Sequence, residues 1–130
     1  MKIKVKDYEI EIIETDDKKD ADFWDKKEKR PKLFGNFDPV DCRIKIWKDM
    51  SEIQKRKTLM HELTHAFLFV YWGSHNLKQR YDNEDMCSFM ETYGEDIMRI
   101  TNEYFLEKES RFLIEKVEKL EKEYVDKREW

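Results

Sequence analysis

At 130 residues and 16.2 kDa the chain can bury one hydrophobic core and not two, so a two-domain enzyme is excluded. Charged residues make up 43% of it, yet Lys+Arg 26 nearly balances Asp+Glu 30 and the net charge is only -4. That argues against a nucleic-acid binder driven by bulk positive charge. An aromatic content of 14% with only three Gly and two Pro speaks for a packed core and against disorder, even at a mean hydropathy of -0.96. Two distant cysteines, Cys42 and Cys87, make neither a disulfide framework nor a four-cysteine zinc site. No apolar run follows Met1 and the longest apolar stretch, Ala66 to Trp72, is too short for a bilayer, so the expected compartment is the cytoplasm.

Ile3 and Val5, then Ile10 and Ile12, recur at the period of two that marks strands with one face in a core, with Lys6-Asp7-Tyr8 as a tight turn between them. From Thr15 to Lys32 the chain turns to Asp and Lys around Phe23 and Trp24, a solvated connector with room for a short helix. Leu33 to Pro39 carries turn chemistry, a hairpin or loop feeding the alternation of Cys42, Ile44 and Ile46. Ser51-Glu52-Ile53-Gln54 has capping-box spacing, in which Ser51 caps an amide and Gln54 reaches back. The helix it opens shows an apolar face of Leu59, Leu63, Ala66, Phe67 and Val70 and ends at Gly73-Ser74. A second helix starts near Asp82 or Asn83 and runs toward Phe105, with Gly94 marking a close helix contact or a weak point. From Leu106 to Trp130 the composition becomes Glu and Lys around a heptad-like seam of Leu106, Leu113, Val117, Leu120 and Tyr124. Because it holds fewer than three or four heptads, docking back on the domain is the expectation ahead of pairing with a second copy.

The chemistry concentrates at His61-Glu62-Leu63-Thr64-His65. Two imidazoles at i and i+4 project from one face of a helix and can reach one Zn²⁺, while Glu62 can accept a proton from water acidified by that metal. With three His in the chain, the chance of the motif arising at random is on the order of one in a hundred. A third ligand is needed. Glu84, in the first turn of the second helix, is favoured over Glu91, His75 and Asp82, and its Asn83-Glu84 setting resembles the segment that delivers the glutamate ligand of thermolysin-like gluzincins. A carboxylate left over can orient a ligand imidazole. Oxyanion donors would be His75 or Tyr81, with Tyr93 behind them, although each also reads as a packing or loop residue. Cys87 reads as a small packing residue.

A short sheet, a loop with Gly and Asp, and a capped helix bearing Thr58-Leu59-Met60-His61-Glu62-Leu63-Thr64-His65-Ala66 together resemble the small HExxH zinc metallopeptidases of the ImmA/IrrE type, minimal gluzincins of bacteria and their phages. The resemblance covers about Leu33 to Ile100, with Thr64 standing where the family usually has Gly. It implies a cytoplasmic zinc endopeptidase whose substrate strand adds to the sheet edge beside the active-site helix. The expectation is therefore a single α+β domain over residues 1–130, with a catalytic core at 33–105 and a charged helix at 106–130. In it an antiparallel or mixed sheet of three or four short strands packs on the HExxH helix, and two long helices follow. His61, His65 and Glu84 would bind Zn²⁺, Glu62 would act as general base, and Ile44 to Trp47 would be the edge that holds a protein or peptide substrate. No nucleic acid or membrane partner is expected, and the chain would be a monomer or a homodimer through its C-terminal helix. The alternative is a non-catalytic zinc-binding regulatory or interaction protein that works through the C-terminal helical seam, its metal site closed for instance by both Glu84 and His75, or a helical scaffold without metal.

Overall fold

A computed structural model of the chain describes residues 1–73 and 81–128. Six strands precede two helices: β1 (Lys2–Val5), β2 (Tyr8–Thr15), β3 (Trp24–Asp25), β4 (Arg30–Pro31), β5 (Gly35–Asp38), β6 (Arg43–Trp47), α1 (Glu52–Trp72) and α2 (Asn83–Arg128). This is the α+β arrangement, with a four-stranded mixed sheet in the order β1-β2-β6-β5 and a separate ribbon of β3 and β4. β1 and β2 form a hairpin across Lys6 and Asp7, with Val5 opposite Tyr8, and Lys6 takes the left-handed backbone (φ 55) that so short a turn requires.

β2 and β6 run parallel, Ile12 beside Ile44 and Glu14 beside Ile46, so the chain crosses over between them. The crossover is residues 16–42, and it contains no helix. Asp25 accepts from the amides of Lys27 and Glu28, which turns the chain between β3 and β4. Phe23 of this ribbon is buried and stacks on Trp47 at 6.3 Å, and Trp24 stacks on the same ring at 5.6 Å, so two aromatic anchors tie an otherwise charged segment to the sheet.

Residues Gly35–Asp38, expected as turn or loop, are a strand that pairs antiparallel with β6 and closes the sheet on that side. This corrects the expected edge. β6 lies between β2 and β5 with Ile44 and Ile46 fully buried, and among the described residues the edge strand beside α1 is β5.

Ser51 caps α1 by accepting from Gln54 N–H at 3.2 Å, but the Gln54 amide donates forward to Thr58 Oγ1 (3.3 Å) and does not reach back, so only half of the capping box forms. Gly73 closes α1 in the left-handed conformation (φ 72), its N–H donating to Leu68 C=O. Leu59, Leu63, Ala66 and Phe67 pack between the inner face of the sheet (Ile10, Ile12, Ile44, Ile46) and the Phe89, Ile97 and Ile100 face of α2. Burying each large aliphatic side chain is worth about 1.5–3 kcal/mol, so this three-layer contact holds α1 in place.

α2 is also capped: Asp82 accepts from Asp85 N–H, and Asp85 accepts from Asp82 N–H in return. The helical stretches expected to either side of Phe105 join into one unbroken helix of 46 residues, because nothing between Phe105 and Arg128 is Gly or Pro. The neighbour closest to Gly94 is Met90 of its own helix, so no close helix crossing depends on it. The seam does not dock back on the domain, against expectation: Leu106, Leu113, Val117 and Leu120 are all more than half exposed. Among the described residues no helix is long and apolar enough to cross a membrane.

Candidate metal centre

His61 and His65 lie on consecutive turns of α1, and their Nε2 atoms are 3.1 Å apart with the rings edge to face. Two nitrogens bound at about 2.0–2.1 Å to one tetrahedral Zn²⁺ stand about 3.3 Å apart, so the pair is spaced as two ligands of one ion. Two neutral imidazoles meeting through the same ring nitrogen must spend one proton on the contact, whereas a cation satisfies both lone pairs at once. His61 is exposed and His65 half-buried, and both line the cleft.

Glu62, the residue after His61, lines the same cleft as the two imidazoles and is buried. Burial pushes its carboxyl up to about 7, even though the N–H of Phe37 in β5 donates to it and pulls the other way. That amide belongs to the edge strand, so the carboxylate of α1 is held by the backbone of the strand that walls the cleft.

The cleft has a volume of about 540 Å³, with residues 33–37 along one side and Thr58, His61, Glu62 and His65 along the other. Gly35 allows the two walls to approach. A Cβ built there would stand 2.5 Å from Thr58 Cγ2, closer than real contacts come, and 3.0 Å from Glu62 Cγ, tighter than most. Gly35→Ala is expected to push β5 off α1, costing about 1–3 kcal/mol and lengthening the Phe37–Glu62 hydrogen bond; urea unfolding and amide exchange at Phe37 check this. Neither Gly35 nor the Phe37 amide stood out in the sequence, where Gly35-Asn36 reads as a turn. A glycine shortly before the helix that carries the His61–His65 pair is the signal that would have found them.

The remaining candidates lie apart. Glu84 is exposed in the first turn of α2, Glu91 is exposed two turns further on, and no third His, Cys, Asp or Glu joins the two imidazoles among the described residues. His75 lies outside the described residues. Tyr81 packs half-buried on Trp72 at 5.1 Å and is not part of the cleft wall, and Tyr93 stacks on Tyr71 at 4.4 Å within the α1–α2 aromatic cluster. Cys87 is exposed and free. No protein-family model, curated protein or solved structure matches the chain.

Proposed function

We propose that the chain is a zinc-dependent peptidase acting on an extended polypeptide in the cleft between β5 and α1, in the manner of the ImmA/IrrE-type enzymes it resembles. The observation that supports this most is the convergence at that cleft of three groups: two imidazole nitrogens at ligand spacing, a buried carboxylate one residue on from the first, and the edge strand of the sheet as described.

His61 and His65 would hold the metal, and Glu84 is the proposed third protein ligand. When bound, zinc supplies a Lewis acid that acidifies a coordinated water. Glu62 has the position and the burial to take a proton from that water and return it to the departing amine, and a carboxyl poised near neutrality suits both halves of the transfer. Binding would follow strand addition. The amide of Phe37 is engaged by Glu62, and strand parity turns Gly35 the same way, so Gly35 offers its backbone to the incoming chain without a side chain in between.

The test is elemental analysis of untagged protein loaded with Zn²⁺ and then incubated with a proteome-derived peptide library. One zinc per chain is expected, with cleavage that EDTA abolishes. His61→Ala should lose the metal, and Glu84→Ala should weaken its retention by about 10–100-fold or more. Failure to bind zinc removes the reading. Stoichiometric zinc without cleavage of any peptide leaves the non-catalytic alternative.

A further inference from the structure

The distal half of α2 carries an apolar stripe that its own domain cannot cover. At about 100° per residue, Leu113 lies half a turn around the helix from Tyr104, and Leu106, Val117 and Leu120 lie within about 40° of that same opposite face. Tyr104, with Ile97, Ile100 and Thr101, is on the side buried against α1 and the sheet. The apolar face thus changes sides near residue 105; Leu106 and Leu113 still border clefts beside α1, and the described domain leaves the stripe more than half exposed. There Leu106, Leu113, Val117 and Leu120 are 61%, 51%, 52% and 56% exposed.

The geometry points to a second copy of this chain as the partner, paired through residues 106–124 as a parallel, in-register two-stranded coiled coil. This inference is independent of the peptidase reading. The heptad assignment puts Leu106, Leu113 and Leu120 at d, and Ser110, Val117 and Tyr124 at a, so the apolar part of the seam is densest from Leu113 to Tyr124. Leu at d with a β-branched residue at a is the combination that favours parallel dimers over higher assemblies.

The flanking charges choose the orientation. In a parallel pair, Lys116 at g faces Glu121 at e of the other copy, and symmetry repeats the attraction. In a fully overlapped antiparallel pair, Glu109 would face Glu123, Glu107 would face Glu121 and Lys116 would face its own counterpart. Every one of those is a like-charge contact, and such contacts select against the arrangement.

With under three heptads the association is weak and depends on concentration. Sedimentation equilibrium of the full chain from about 1 to 500 µM is expected to move from the 16.2 kDa monomer toward twice that mass. Leu113→Glu with Leu120→Glu should hold it at the monomer mass, and since both side chains are exposed the melting temperature of the domain should not fall. A Leu106→Cys variant in a Cys87→Ser background should cross-link to itself on mild oxidation, because a parallel register sets the two 106 positions side by side. A monomer throughout the range, a dimer indifferent to the two Glu substitutions, or a mass beyond two chains overturns the proposal. A dimer that fails to cross-link at 106 overturns the parallel arrangement.

Discussion

Glu62→Gln is expected to reduce peptide cleavage by about 10²–10⁴-fold while leaving zinc bound at the wild-type stoichiometry. Gln preserves the shape of the side chain and an oxygen that accepts from the Phe37 amide, so the hydrogen bond between β5 and α1 survives. It removes only the ability to take up and release a proton. Because the native carboxylate is buried, the metal-free variant should melt no lower than metal-free wild type. This pattern separates loss of chemistry from loss of fold, since a damaged site would lose zinc or stability as well. Cleavage at the wild-type rate would end the general-base assignment and point to a different proton acceptor in the cleft.

Glu14→Gln is expected to be the most destabilising conservative change outside the core, lowering the melting temperature by roughly 10 °C for a loss of about 2–4 kcal/mol. Glu14 sits on β2 where both helices meet the sheet. Lys108 and Lys55 each come within 2.7 Å of it, and Tyr104 donates to it at 2.8 Å. Burial alone would raise the Glu14 carboxyl, but the Lys108, Lys55 and Tyr104 partners outweigh it and hold the group at about 2, down from 4.5. A folded-state value below the unfolded one means the folded chain holds the proton less tightly. The stability this contributes is therefore complete above about pH 4.5 and is lost as the pH falls toward 2. Urea unfolding at a series of pH values should show that acid limb in wild type and a shallower one in the variant. Identical limbs would mean that the network contributes nothing net.

What was legible in the sequence is what is local. The alternation of Ile3, Val5, Ile10 and Ile12 marks β1 and β2, and the His61–His65 spacing alone brings two imidazoles together, because one helical turn is sufficient for it. Strand β5 was hidden: Gly35-Asn36-Phe37-Asp38 has one apolar residue and the composition of a turn, and it is extended only because β6 offers a ladder to pair with. The same holds for the edge, since whether β6 ends the sheet or lies inside it depends on chain that precedes it by some ten residues. The Gln54 amide had two partners within reach, and spacing does not choose between its own N-terminus and Thr58. The change of composition at Leu106 suggested a break in the helix, yet backbone hydrogen bonding is indifferent to whether the outward side chains are aliphatic or charged. A third metal ligand is a question of how two helices lie, which periodicity along one of them does not contain.

The Glu14 contacts with Tyr104 and Lys108 also fasten α2 to the sheet near the point where its second half begins. Beyond Lys108 the helix runs on to Arg128, about 30 Å at 1.5 Å per residue, with neither Gly nor Pro in that stretch. It therefore behaves as a lever with its fulcrum at Glu14. A tilt of about 10° at the fulcrum would carry the tip through roughly 5 Å, by the same rise per residue. Small adjustments where three elements share one carboxylate are read out, magnified, at the far end of the rod.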